Sequence, residues 1–498
     1  MTTTIVRGGR VLDVAGHRAE PADLRIEGDT IREIGRPGLA APAGARVVDA
    51  HDRLLMPGLV NAHTHAHGGL GRGSLGDRVS LELLLTFAAG LTGNRTLEDK
   101  HLSAQLSAVE LVRRGCTACY DLYFELPAPT VEGVHAAGRA YTEVGIRAVV
   151  APMMADRTLW QALPGLLEAL PDGARAPLAA LRATPWEQNV AICRDVLRTW
   201  PFDREQIRPA LGPTIPLHCS DEFLVACRDL AREHEVGIQM HLAESKSQAH
   251  LGHRRYGRSL TAHLADLGVL GPRFSAAHGV WLDRDDVGRL ADAGGSVAHN
   301  PLSNLRLGSG IAPVRMMLER GLTVGIGTDS AASSDAQNMF EATRLAAYLS
   351  RVRTPDYTRW ISVEEALHMA TAGSAAVLGM ADRIGRLAPG YKADIVFLDL
   401  GHVTYVPLND VAVQMVMGES GAAVDSVMIG GRLVLDHGRL TTVDESKLRA
   451  RAEEAVARLR GANAGILASA RALEPFVGAF CVGLGGRPYD LKEGEVRL

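Results

Sequence analysis

Cysteine is scarce in this chain. Six in 498 residues are too few for a disulfide framework. Charge of one sign is missing too: 53 basic against 57 acidic residues leave a formal net charge of −4, with no electrostatic footprint for nucleic acid or anionic membrane. The opening MTTTIVRGGRVLDV carries Arg7 and has no apolar core of the length a signal peptide needs. No run of about 18 uncharged apolar residues occurs, which argues against a transmembrane helix. The expected location is cytoplasmic. The lone CxxC, Cys116 and Cys119 in RRGCTACYDL, lacks the second pair that a structural zinc site would need, so both read as inert core thiols. What remains, 46% hydrophobic and 22% charged, is an ordinary globular composition, long enough for one large domain and a smaller satellite.

The two ends of the chain share a pattern. TIVRGGRVLDV, ADLRIEGDTIREIG and ARVVDAHDRLLMPGLV are short strands with turns at Gly8-Gly9 and Glu27-Gly28-Asp29; YKADIVFLDL and VDSVMIGGRLVLDHGRL repeat the pattern late in the chain. They predict a small β-sandwich assembled from residues 1–57 and 389–443. Between them, short apolar runs ending in Gly, Pro, His or Asp alternate with helical stretches such as SDEFLVACRDLAREHE. Strands alternating with helices mean βα units around a parallel sheet, here a TIM-type barrel over 58–388. The polar residues cluster at the strands' C-terminal ends, where such a barrel carries its active site. The Ala/Arg/Glu-rich tail, 444–498, reads as a helical extension on the barrel or on a second subunit.

In Asn61-Ala62-His63-Thr64-His65, the two histidines sit at i and i+2 after the run LLMPGLV, so on a strand both imidazoles face one ion. His241 in GIQMHLAES and Asp329 in TVGIGTDS end further strand-like runs and complete a ligand set suited to zinc, iron or manganese. Glu244, three residues after His241, can reach a metal-bound water without being a ligand. His278, in FSAAHGV, can donate a hydrogen bond to that water or to the substrate. Such a water has a pKa near 7, and a neighbouring glutamate can take its proton and later deliver it to the leaving group.

The ordered set MPGLVNAHTHAH, MHLAES, AAHGV, HNPLSNLRLGSGIAPV, GIGTDS and IGRLAPGYKADIVFLD resembles the amidohydrolase superfamily over roughly residues 4 to 440. The branch it is most similar to holds the cytosine, guanine and adenosyl-homocysteine deaminases and the s-triazine hydrolases. The resemblance implies a (β/α)8 barrel with a composite β-sandwich, metal ligands at His63, His65, His241 and Asp329, a proton shuttle at Glu244 and an electrophilic histidine at His278. Asp329 would also help deprotonate the water. Binuclear relatives use a carbamylated lysine, and IRPALGPTIPLHCS has none, so one divalent metal per chain is expected, zinc first and iron second. Ser334, beside Asp335, replaces the asparagine of the deaminase pattern.

Around this set, His67 lines the substrate pocket or faces solvent, and Asn304 is placed near the substrate. His299 reads as structural, His218 and Cys219 as candidate pocket lining, and His250 and His253 as a solvated helix face. The expected reaction is hydrolytic removal of an amino group from a purine, pterin or triazine-like heterocycle. Hydrolysis of a C–Cl, urea or amide bond uses the same machinery, and a non-catalytic scaffold is the third reading. The stretch GGLGRGSLGDRVSLELLLTFAAG lacks the tryptophan segment of adenosyl-homocysteine deaminases, which weighs mildly against a nucleoside. The apolar LEPFVGAFCVGLGG in the tail would be awkward if exposed, so a homo-oligomer, first a dimer, is expected.

Overall fold

A computed structural model describes residues 2–14 and 16–489; residues 490–498 of the expected tail lie outside the described residues. Two sheets organise it. The N-terminal strands β1 (Thr3–Asp13), β2 (Arg18–Glu27), β3 (Thr30–Gly35), β4 (Arg46–Asp49) and β5 (Arg53–Pro57) lead directly into the first barrel strand, β6 (Leu59–His65). The barrel continues with β7 (Cys116–Phe124), β8 (Arg147–Met154), β9 (Ile207–Pro213), β10 (Gly237–Leu242), β11 (Phe274–His278), β12 (Ser296–His299) and β13 (Thr323–Ile326). Each strand pairs in parallel with the next. Closure comes from the short β14 (Asp329–Ser330), which pairs in parallel with Thr64 and His65 of β6. Between β13 and β14 the side chain of Asn61 bridges the seam: its Nδ2 donates to Thr328 Oγ1 at 2.8 Å and its Oδ1 accepts from Thr328 N–H at 3.1 Å. The (β/α)8 expectation holds.

Strands β15 (Ile395–Asp399), β16 (Val424–Ile429), β17 (Arg432–Asp436) and β18 (Arg439–Leu440) return to the N-terminal strands, and β15 pairs antiparallel with β5 along its whole length. The terminal strands thus form one continuous mixed sheet of nine, curled over its own core of Val6, Leu24, Ile26, Ile31, Leu55, Ile395, Phe397 and Met428. Arg147, at the start of β8, forks onto Asp394, just before β15, at 2.8 and 3.1 Å, both side chains buried. Removing one partner of so buried a pair typically costs about 3–5 kcal/mol, so this fork fixes sheet to barrel.

Local signals explain the element ends. Thr96 and Asp99 form a capping box at the start of helix Leu97–Arg113. That helix stops at Gly115, whose φ of +75° lets the chain turn into β7. One helix among the described residues, Ala464–Gly485, is long and apolar enough to cross a membrane, a feature the sequence reading did not anticipate. It contains Arg471, Glu474 and Pro475 and packs along helix Leu81–Thr92.

Candidate metal centre and catalytic cavity

Two barrel strands present a matched pair of side chains at i and i+2: His63 and His65 on β6, Gln239 and His241 on β10. All four are buried. Each histidine is tied through Nδ1 to an oxygen acceptor, His63 to Gln239 Oε1 at 2.8 Å, His65 to the Leu122 carbonyl at 2.6 Å and His241 to the Thr214 carbonyl at 2.8 Å. Gln239 is itself oriented, because its Nε2 donates to the Ala62 carbonyl at 3.0 Å. Protons therefore sit on all three Nδ1 atoms, and the Nε2 atoms turn lone pairs toward a common point.

His65 Nε2 and His241 Nε2 stand only 3.1 Å apart, and Asp329 Oδ1 lies 3.3 Å from His65 Nε2 and 3.5 Å from His63 Nε2. His63 Nε2 is buried without a partner. Electron pairs crowded this way with no proton between them repel unless a cation joins them, so the donor set fits a divalent metal. Burial pulls His65 down to about 4, helped by neighbouring His63, and pulls His241 well below its ordinary value, so both are neutral at neutral pH. Burial works to raise the Asp329 carboxyl, but His63, 3.5 Å away, and the other surrounding imidazoles outweigh it and hold the group well below the carboxylate range. Ser333 Oγ donates to Asp329 Oδ2 at 2.8 Å.

Glu244 and His278 stand beside this cluster. The Glu244 carboxyl is driven well above the usual range, first by burial and then by the charges of Asp329 and Glu82. Its Oε1 lies 3.7 Å from His278 Nδ1, and its Oε2 is buried without a partner. His278 Nδ1 donates to Asn304 Oδ1 at 2.9 Å, and burial takes the ring down to about 3. As placed, His278 is neutral and its Nε2 is an acceptor. The donor role implied by the resemblance needs the other tautomer, which a half-turn of the Asn304 amide would supply.

A cavity of about 400 Å³ opens above these groups, bordered by His65, His241, Glu244, His278 and Asp329. Leu81, Leu84, Leu85, Ala88 and Leu91 of helix Leu81–Thr92 form one wall; Phe124, Met153, Met154, Leu159, Ile215 and Leu307 add further apolar surface. His67 lines this cavity, its Nδ1 accepting from Phe124 N–H at 3.3 Å. Asn304 does not border it. That expectation is corrected: Asn304 is fully buried behind His278, whose ring it orients. His218 borders the cavity, whereas Cys219 is buried behind it. His299 is buried away from the metal centre, and His253 is exposed on helix Lys246–Tyr256. Ser334 bonds the Ser330 carbonyl and Asp335 pairs with Arg306, neither bordering the cavity.

Sequence reasoning missed Gln239, Ser333 and the leucine wall. Gln239 carried a readable signal, a polar residue two positions before His241 in an otherwise apolar strand.

Residues 54–434 match the sequence profile described as Amidohydrolase family. A 5-methylthioadenosine/S-adenosylhomocysteine deaminase of Syntrophomonas wolfei is 32% identical over 457 residues, 91% of this chain and 98% of that protein. A 5'-deoxyadenosine deaminase of Methanosarcina mazei is 33% identical, covering 87% and 93%. Among solved structures, a zinc-bound adenosine deaminase of Xanthomonas campestris superposes with a TM-score of 0.81 at 27% identity, covering 92% of this chain and 99% of that one. An atrazine chlorohydrolase of Arthrobacter aurescens complexed with zinc gives 0.79 at 29%, covering 91% and 100%. Donor set and relatives together support a divalent metal at this point. The chain belongs to the amidohydrolase family.

Proposed function

We propose that the protein hydrolytically deaminates an adenine nucleoside carrying a small 5′ substituent in place of the free hydroxyl. Deaminase chemistry on an amino-substituted nitrogen heterocycle is common to its long-range relatives, whose names specify 5-methylthioadenosine, S-adenosylhomocysteine and 5'-deoxyadenosine. One observation carries the chemistry: Glu244, a buried carboxyl raised toward its protonated form, stands beside the converging lone pairs of His63, His65, His241 and Asp329. The missing tryptophan segment weighed against a nucleoside. In that stretch, helix Leu81–Thr92 supplies Leu81, Leu84, Leu85 and Ala88 as an apolar wall on which a base can lie.

His63, His65, His241 and Asp329 would hold one divalent ion, taken as zinc from the two zinc-bearing neighbours. When bound, such an ion supplies Lewis-acid activation of water. Glu244 gives its proton to the ring nitrogen next to the amino-bearing carbon as a water oxygen adds there, and recovers one from the water. Asp329, held ionised, accepts the second proton. Asp329 then returns its proton to the amino nitrogen, which leaves the tetrahedral carbon as ammonia, giving the carbonyl product with both carboxyl groups back in their starting states. His278 Nε2 faces the same space and orients the adding water. His67 flanks the ring.

The second reading, displacement of halide or amine from a triazine, is favoured by the likeness to atrazine chlorohydrolase. Zinc-loaded enzyme given 5′-methylthioadenosine, 5′-deoxyadenosine, adenosine and atrazine, with ammonia, chloride and alkylamine assayed separately, tests both. Ammonia from the nucleosides supports the proposal; chloride from atrazine alone overturns it. A cytoplasmic homo-oligomer completes the reading, supported by six buried, unpaired thiols and by the outward apolar residues of helix Ala464–Gly485.

A further inference from the structure

A second, smaller pocket of about 180 Å³ adjoins the catalytic cavity and shares His67, Arg95, Phe124 and Glu125 with it; Lys100 and Tyr123 border the smaller pocket alone. Its charges do not balance. Glu125 is taken: Lys100 pairs with it, and Thr130 donates to it through both N–H and hydroxyl. Arg95 has only neutral acceptors, the carbonyls of His67 and Leu91 and, at 3.4 Å, Ser103 Oγ. No carboxylate lies within ion-pairing distance of it among the described residues, and its Nε is buried without a partner. Burial pulls this guanidinium down to about 10. The Tyr123 hydroxyl, on a side chain 1% exposed, has no partner either.

A partly buried cation without a counter-ion is disfavoured, and a planar guanidinium is the side chain best matched to a carboxylate. The metal centre next door supplies no compensating charge, since its one held carboxylate, Asp329, is committed to the ion. We infer that the side pocket is the subsite for a carboxylate on the substrate, which pairs with Arg95 and accepts from the Tyr123 hydroxyl. The preferred molecule is therefore an acid, its ring over the metal and its acidic group on the His67 side. This rests on the reading that the cavity above the metal takes an aminated heterocycle.

The test compares adenosine-5′-carboxylate with 5′-deoxyadenosine as substrates, and benzoate with benzamide as ligands measured by calorimetry on the zinc-loaded enzyme. The acid should be preferred by about tenfold or more in kcat/KM, mainly through KM, and benzoate likewise in Kd. Arg95→Gln should bring both ratios to near one, and Arg95→Lys should restore part of each. Tyr123→Phe, which keeps the packing ring, should lower both by a few-fold and serves if Arg95→Gln fails to fold. Wild-type enzyme without a preference for the acids, or a preference that survives Arg95→Gln or Tyr123→Phe unchanged, overturns the subsite. Failure to deaminate either nucleoside refutes the nucleoside reading instead, and the benzoate and benzamide arm still decides the subsite.

Discussion

Replacing Gln239 with leucine should weaken the metal without touching a ligand. Gln239 Oε1 accepts the Nδ1 proton of His63 at 2.8 Å, and the same amide is anchored to Ala62 O at 3.0 Å. Leucine nearly fills the volume but leaves a buried N–H and a buried carbonyl unpaired, at about 1–3 kcal/mol each. It also frees His63 to shift its proton to Nε2, where it would block coordination. Loss of such an outer partner typically lowers metal affinity about 10–100-fold, or about 1.4–2.7 kcal/mol. Gln239→Glu, which keeps an acceptor toward Nδ1, should lie much closer to wild type. Chelator competition gives metal affinity, and turnover at saturating zinc shows whether the reloaded site works. If Gln239→Leu folds and binds zinc as tightly as wild type, the assignment of the converging Nε2 atoms is wrong.

Glu244→Gln should retain metal and fold while turnover falls about 10² or more, the usual scale for an acid–base group; metal content and rate on the same preparation check it, and metal loss would put Glu244 among the ligands. Asp286 is raised to about 6 by burial at the start of helix Arg284–Asp292, against about 3.9 in an unfolded chain. Its stabilising contribution is therefore full below about pH 4 and lost as pH rises through about 6, roughly 3 kcal/mol in all. Asp286→Asn should flatten that fall, and thermal midpoints across the range would reveal a slope unchanged from wild type if this is mistaken. Val482, 76% exposed on helix Ala464–Gly485, should lie in a subunit contact, so Val482→Asp should convert a light-scattering dimer to monomer; a monomeric wild type rejects the contact.

The parts of the site that were legible in the sequence are those where side-chain chemistry and strand period coincide. His63 and His65 announce themselves because two imidazoles at i and i+2 on an apolar strand have few other uses. The barrel was legible because apolar runs ending in polar residues recur between helices, and the composite sheet because the same turn pattern occurs at both ends. The carbonyls of Leu122 and Thr214, which fix two of the three tautomers, were not legible, since any residue there offers the same oxygen. Asn304 was placed at the substrate because it lies in a strand-end motif. Its direction depends on the turn through Asn300 and Pro301, and that turn sends the amide behind His278. The leucine wall was hidden for a different reason. Leu81–Thr92 reads as an apolar helix with Glu82 its one charge, and nothing local says that one face covers a cavity rather than core.

The backbone shows how the site keeps its shape. Ala243, His278 and Asp329 all have positive φ, at 49°, 72° and 61°, at or just beyond the ends of β10, β11 and β13. Non-glycine residues held there cost about 1–3 kcal/mol each, and glycine would relieve the cost. At positions 278 and 329 it would also delete the side chain the site needs. At 243 the strained turn aims Glu244. Barrel hydrogen bonds hold each of these turns. Trp281 N–H donates to the Ala243 carbonyl at 2.9 Å and Gly279 N–H to Leu242 O at 3.1 Å. Thr64 Oγ1 donates to the Asp329 carbonyl at 3.0 Å and is itself fixed by Gln337 Nε2 at 2.6 Å. These bonds come from the barrel and from the segment that closes it, so the fold's own hydrogen bonds hold the strained turns that carry Glu244, His278 and Asp329.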